Sequence, residues 1–475
     1  MTTTLTPDIC VIGAGSGGLS VAAAAATFGV SVVLVERGKM GGDCLNYGCV
    51  PSKALIAAAR HAQAMRQGAE FGIANVEPEI DFRKVTDHVQ SVIATIAPND
   101  SVARFTALGV KVIQAAARFA DRRTVEAGEY RIKARRFVIA TGASATIPPI
   151  AGLDRVPYLT NETIFDLAKR PTHLIVVGGG PIGMELGQAY RRLGSKVTIV
   201  EDKTCLARED SEMARLVRDS LQRDGVDLLE HTRVASVEMR GKTGLRVYLD
   251  GDGETRGIDA SHLLVASGRA PNVSGLDLGK AKIKHDRRGI KVNSSLRTSN
   301  SRIYAIGDVA GGVQLTSAAG YHAGLVIRQI LFRASGREDR SILPRVTYTQ
   351  PEMAQIGLTE DEARATGHKI SVLRWPLSEN DRAQAERRTE GFAKLVAGKG
   401  GRILGVSIVG ENAGELINLY ALAMSKKMTL RDLIGFVPAY PTTGEIGKRA
   451  AITYFAPAAR KPAVRRLIRF LRIFG

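Results

Sequence analysis

Cys44 and Cys49 fall in the run Gly41-Gly42-Asp43-Cys44-Leu45-Asn46-Tyr47-Gly48-Cys49-Val50-Pro51-Ser52-Lys53. Two thiols this close can cycle between dithiol and disulfide, so the chemistry they offer is two-electron exchange. The spacing predicts a loop entering a helix over Pro51–Arg60, with Lys53 one turn in. A helix N-terminus and a lysine both favour the thiolate, the form that attacks sulfur or a soft metal. A structural disulfide is a poor fit to a chain with no secretory signal. Half of a zinc site would need a second CxxC or a His pair, and none is present, so no metal-ligand set is expected. The other two cysteines, Cys10 in the first strand and Cys205 after the fourth, read as buried or incidental thiols.

A redox pair needs an electron source, and the flanking elements supply one. Asp8–Ile12 reads as an apolar strand, Gly13-Ala14-Gly15-Ser16-Gly17-Gly18 as a GxGxxG loop and Leu19–Phe28 as a helix. A second strand, Val30–Val35, is closed by Glu36. Gly13 permits the tight turn, Gly15 lets backbone approach a pyrophosphate, and Gly18 lets helix pack on strand. The helix N-terminus offers free N–H groups to phosphates, and Glu36 can accept hydrogen bonds from a ribose diol. The pattern recurs with strand Leu174–Val177, glycines Gly178, Gly180 and Gly183, helix Met184–Leu193, strand Lys196–Val200 and the acid Glu201. In both copies the last glycine stands 18 positions before the acid. Two loops of matched spacing imply two dinucleotides. A carboxylate at position 201 pairs with a 2′-hydroxyl and repels a 2′-phosphate, which favours NADH. Lys203 and Arg208 follow closely, so this is a preference over NADPH, not an exclusion of it.

With these residues in place, the chain resembles the pyridine nucleotide–disulfide oxidoreductases, the family of dihydrolipoamide dehydrogenase, glutathione reductase and mercuric reductase. The cysteine run, Ala140-Thr141-Gly142, Gly268-Arg269-Ala270-Pro271-Asn272 and Ile303-Tyr304-Ala305-Ile306-Gly307-Asp308 carry the resemblance, in the expected order. Thr349-Gln350-Pro351-Glu352 with Ile356-Gly357-Leu358-Thr359 resembles the start of the family's dimerisation domain. The resemblance implies an α/β chain with two Rossmann-like dinucleotide-binding domains and a C-terminal α+β dimerisation domain built on an antiparallel sheet. It further implies FAD at the first loop, with Thr141, Gly142 and Asp308 among its contacts, and NAD(P)H at the second, with Gly268. Cys49 would face the flavin, Cys44 would exchange with substrate, and Lys53 and Glu185 would pair near the flavin. The chain would form a homodimer whose active sites each join Cys44 of one subunit to Tyr440 and Glu445 of the other.

The same comparison marks departures. Thiol-handling members carry a C-terminal histidine as general base, oriented by a glutamate. Here that run is Ala439-Tyr440-Pro441-Thr442-Thr443-Gly444-Glu445, and no histidine follows His368. A phenol titrating near about pH 10 is a poor base at neutrality, although it can donate a hydrogen bond or offer its oxygen to a metal. Mercuric reductases resemble the chain here and over Arg208–Thr232, yet they end in a vicinal cysteine pair, and no cysteine follows Cys205. The reading is an FAD-dependent enzyme passing electrons from NADH through the Cys44–Cys49 pair to a small-molecule or metal-ion acceptor. The alternatives are dihydrolipoamide oxidation with NAD, or a peripheral-membrane flavoprotein that reduces a quinone-like acceptor or docks a membrane partner.

At 475 residues with net charge +19, the chain can fill several domains. The expected boundaries are a first nucleotide domain over 1–150, a second over 151–270, a return to the first over 271–340, an interface domain over 341–455 and a basic tail over 456–475. Met1–Pro7 reads as a short polar lead with no signal-peptide character, so a cytoplasmic location is expected. In the tail, Arg460, Lys461, Arg465, Arg466, Arg469 and Arg472 flank an apolar stripe of Val464, Leu467, Ile468, Leu471 and Phe474. Such a helix suits the anionic inner face of a membrane, or else packs on the protein with its arginines solvated. No nucleic-acid partner is expected, because no recognition motif or aromatic–basic interleaving occurs.

Overall fold

The computed structural model describes residues 3–251, 254–367 and 369–475, so His368 lies outside the described residues. Contacts group the chain into two compact units, Met1–Asp202 with Gly225–Glu338, and Lys203–Asp224 with Asp339–Gly475.

In the first unit, a five-stranded parallel sheet runs in the order Ile303–Ala305, Arg136–Ile139, Ile9–Ile12, Val32–Glu36, Lys111–Gln114. Ile9–Ile12 is buried throughout, which is why it reads as an unbroken apolar run and not as alternation. The helices Ser16–Thr27 and Thr316–Phe332 share one core with this sheet through Val21, Ala22, Ala323 and Val326. The chain therefore comes back to its first sheet after leaving it at residue 139. A second parallel sheet runs Asp227–Leu229, Lys196–Val200, His173–Val177, His262–Val265, with the helix Pro181–Arg192 following its glycine loop.

The expected polar lead is corrected. Thr3–Leu5 is a strand, parallel to Tyr130–Ile132. Its threonines are exposed while Leu5 packs on the core of the first sheet, so three residues suffice to add an edge strand to the separate four-stranded sheet of Tyr130–Ile132, Val125–Ala127 and Ala117–Phe119.

The second unit is built on an antiparallel sheet in the order Arg345–Thr347, Glu352–Gly357, Ile403–Gly410, Phe392–Ala397, Ser371–Pro376. Helices Ala413–Ser425, Leu430–Gly435 and Glu445–Ala459 contribute Ile417, Tyr420, Leu433 and Ala450 to its core. The inner strands are buried nearly end to end, although a half-solvated sheet would alternate. Lys394 explains this. It points away from its neighbours Ala393 and Leu395, and on that second face it meets Asp210, the residue that caps helix Ser211–Arg223. A helix from the middle of the chain thus belongs with the C-terminal sheet. The tail forms the helix Pro462–Leu471, none of whose residues is buried.

Candidate active site

The two glycine loops are near-copies in structure. Gly13 and Gly178 take φ of 106° and 115°, values that L side chains avoid. A Cβ on Gly18 would overlap the Gly13 carbonyl oxygen, and one on Gly183 the Gly178 carbonyl oxygen. Those four glycines are required by the protein's own packing. Gly15 and Gly180 are not. A Cβ at Gly15 would come no nearer than 4.0 Å to any other protein atom, and at Gly180 none lies within 4 Å. Their lack of a side chain leaves open space beside the backbone. Gly142 and Gly268 also meet no protein atom where a Cβ would stand, but their φ of 67° and 133° already favours glycine. Donor-rich backbone at two helix N-termini with room left beside it fits the diphosphates of FAD and of NAD(P)H.

The acids have a duty that sequence reading did not assign. Glu36 Oε2 accepts from the Ala14 amide at 2.6 Å and Oε1 from the Gly38 amide at 2.7 Å. Glu201 Oε2 accepts from the Gly179 amide at 2.7 Å. Each carboxylate closes its own glycine loop. Thr141 Oγ donates to the Asn272 carbonyl at 2.8 Å, and Asn272 Nδ2 donates to the Thr141 carbonyl at 3.0 Å. These bonds tie the Ala140–Gly142 turn to the Gly268–Asn272 run.

The cysteines do not share a loop. Cys44 rides a short helix, Gly42–Tyr47, and Cys49 is the first residue of the long helix Cys49–Arg66. Gly48 is the break between them. Cys44 is half-buried and Cys49 exposed, and both are free thiols. A hydrogen bond from the neighbouring Cys44 thiol would stabilise a Cys49 thiolate, and this influence lowers Cys49 most. Desolvation of the sulfur by the protein around it opposes this, while the Thr316 hydroxyl at 3.3 Å and the Lys53 charge add to it, and Cys49 ends at about 6. The same hydrogen bond, with burial and the neighbouring charges, pushes Cys44 up. One thiol is thus set to ionise and its neighbour to stay protonated. Above about pH 6 Cys49 is thiolate, and below it the thiol returns. The rate of iodoacetamide alkylation of the reduced protein should rise through that pH, and a first midpoint at or above 8 would contradict the assignment.

Lys53 lies one turn past Cys49, and its Nζ meets Glu185 at 2.8 Å. Glu185 is buried on helix Pro181–Arg192, immediately behind the second glycine loop. Asp308 stands in the turn after strand Ile303–Ala305, and burial raises its carboxyl against the pull of Arg269. Tyr440 and Glu445 belong to the second unit. Tyr440 is 70% exposed, and its hydroxyl donates to Asp381 at 2.9 Å. That bond holds the phenol above its ordinary range. Thr316 and Asp381 were not singled out from sequence, since each reaches its partner across a gap of 267 or 59 positions.

Residues 7–323 match the pyridine nucleotide-disulphide oxidoreductase family, and 343–451 match the dimerisation domain of that family. The chain belongs to this family. It is 35% identical over 450 residues to a mercuric reductase of Lysinibacillus sphaericus, covering 94% of this chain and 82% of that one. It is 36% identical over 454 residues to a dihydrolipoyl dehydrogenase of Geobacillus stearothermophilus, covering 94% and 95%. Its fold is similar to a Cu(II) complex of the HOCl-induced flavoprotein disulfide reductase RclA from Escherichia coli, with TM-score 0.82, 27% identity and coverage of 93% and 98%. The protein is accordingly an FAD-dependent pyridine nucleotide-disulfide oxidoreductase that uses NAD(P)H, and its dimerisation domain supports a homodimer. Among the described residues no helix is long and apolar enough to cross a membrane.

Proposed function

We propose that this oxidoreductase carries electrons from NADH through the Cys44–Cys49 pair to a thiol-reactive acceptor, with a soft metal ion ahead of a small disulfide. FAD, when bound, supplies the two-electron relay between the nicotinamide and the cysteine pair. Gly13, Gly15, Gly18, Glu36, Thr141, Gly142 and Asp308 would hold it, and Gly178, Gly180, Gly183, Glu201 and Gly268 would hold the nicotinamide cofactor. Lys53, half-buried on the helix that begins at Cys49, and the buried Glu185 place a charge pair beside the cysteines. Cys49, the acidic thiol, takes the flavin side, and Cys44 exchanges with the acceptor.

The observation that carries the choice of acceptor is the Tyr440–Asp381 bond. Oxidising a dithiol needs a base that takes a proton near neutrality. At 440 the base position of dithiol-handling relatives holds a phenol whose proton is directed at Asp381, leaving only oxygen lone pairs for a substrate. The lone pairs of a neutral phenol can ligate a metal ion but are too weakly basic to take a thiol proton. Glu445, whose carboxylate lies 3.6 Å from Arg449, would be offered with Tyr440 to the partner subunit's cysteine pair. Anaerobic turnover of NADH with thiol-complexed mercuric ion, run beside lipoamide, tests this. Metal-dependent oxidation with no lipoamide activity is expected, and fast lipoamide turnover would refute it.

A second reading concerns location. Leu467, Ile468, Leu471 and Phe474 are exposed on a tail whose six cations have no acid among them. An apolar stripe edged by arginines complements an anionic lipid surface. Deleting Pro462–Gly475 should abolish co-sedimentation with vesicles rich in anionic lipid and leave turnover unchanged. Loss of the dimer or of flavin would instead make the tail structural.

A further inference from the structure

The helix that carries Cys44 is six residues long, well short of the length at which a helix stands alone in water. Its N-cap, Gly41, provides no side-chain cap. Other groups must therefore fix the direction of the Cys44 thiol.

Asn161 supplies two of the bonds. Its buried side-chain amide donates to Asp43 Oδ1 at 2.9 Å and to the Tyr47 carbonyl at 3.2 Å. One amide thus grips the first turn and the last residue of the helix. The other Asp43 oxygen, Oδ2, faces Arg269 Nη2 at 3.2 Å. That guanidinium is itself held, donating to the Ala143 carbonyl at 2.5 Å and approaching Asp308 Oδ2 at 3.9 Å. Asp43 also covers the joint between the two cysteine helices. A Cβ added to Gly48, the residue before Cys49, would stand 2.9 Å from Asp43 Oδ2. The carboxylate therefore lies against both halves of the redox segment, and its charge opposes thiolate formation at each cysteine.

We infer that Asp43 is a positioning residue for the dithiol, locking the Cys44 helix through Asn161 and Arg269. This rests on the reading above in which Cys44 exchanges with the acceptor. Arg269 makes the lock a shared one, because the same guanidinium reaches Asp308 in the turn assigned to the flavin. A loosened lock costs exchange at Cys44 without costing delivery of electrons from the nicotinamide.

The test uses the holoenzyme with Asp43→Asn, which keeps the volume and an acceptor for Asn161 but removes the charge facing Arg269. Asn161→Ala removes the grip and keeps the charge. Three readouts are followed, namely turnover with thiol-complexed mercuric ion, NADH-driven reduction of ferricyanide, and the pH profile of iodoacetamide alkylation in the reduced enzyme. Misplacement of a reacting group costs about tenfold to a hundredfold in rate, and both variants should lose that much mercuric-ion turnover. Ferricyanide reduction and flavin content should stay within twofold of the parent. The alkylation midpoint should move to lower pH in Asp43→Asn alone, a shift that a purely structural role would not produce.

Unchanged mercuric-ion turnover in both variants overturns the inference. So does a parallel loss of ferricyanide and mercuric-ion turnover in the isosteric Asp43→Asn. Cys44→Ser separates the two levels of argument. If it retains full turnover, the exchange reading itself fails. If it is inactive while Asp43→Asn is normal, only the lock fails.

Discussion

Cys44→Ser is expected to lose turnover with every disulfide or metal acceptor, by about 10³-fold or more, as removal of a covalent nucleophile does. A serine hydroxyl cannot enter the disulfide cycle, so the electron pair has no sulfur from which to leave. It can still donate to the Cys49 sulfur, the bond that sets Cys49 low. The ionisation near pH 6 should therefore survive in this variant. Cys49→Ser should be equally inactive but differ in signature, because the acidic thiol is gone and Cys44, released from the Cys49 sulfur that raises it most, is left with burial as the main upward influence. Steady-state rates with each acceptor, beside the alkylation profile, distinguish the two. Full activity of Cys44→Ser would remove the dithiol from the mechanism.

The largest effect on stability is expected at Lys394. Its side chain is 2% exposed, with Asp210 at 2.7 Å, Glu212 at 2.9 Å and Glu360 at 3.6 Å. Burial alone would lower the ammonium, but the hydrogen bonds it donates to Asp210 and Glu212 outweigh it and raise Lys394 above its ordinary value. Replacing it by methionine strands the buried Asp210 carboxylate, and a broken buried pair costs about 3–5 kcal/mol. Adding Asp210→Asn should recover part of that loss, since the stranded charge disappears with its partner. Urea midpoints of the two variants measure both statements, and a single variant as stable as the parent would contradict the first. Acid should weaken the same network. The hydrogen bond from Arg374 brings Glu212 from 4.5 down to about 2. Its contribution is complete above about pH 4.5 and is lost as pH falls through about 2.

What could be read from the residues follows the range over which they act. The glycine loops are local, and spacing plus strand–helix context located both. The cysteine pair is local too, and so is Lys53. The sequence reading nevertheless placed the cysteines in one loop, because nothing in Cys44–Tyr47 advertises a helix that depends on Asn161 for its hold. Long-range partners left no trace at either end. Thr316 is an ordinary helix-start residue until Cys49 stands beside it, and Asp381 an ordinary acid until Tyr440 meets it. Family resemblance bridged one such gap, between Lys53 and Glu185, which the structure pairs across 132 positions. The lead strand was missed for the opposite reason, since two exposed threonines carry too little apolar signal to mark an edge.

Lys394 meets Asp210 across 184 positions of chain. During synthesis, at about 5–20 residues per second, the capped helix leaves the ribosome roughly 10 to 40 s before the strand that neutralises it. Through that interval Met213, Val217 and Leu221, all buried in the finished unit, have no sheet to cover. The nascent chain thus carries a sticky, acidic-capped segment that must be kept from other partners until its C-terminal third arrives. An expressed fragment starting at residue 339 would face the converse difficulty, with Lys394 buried under nothing and a bare sheet face exposed.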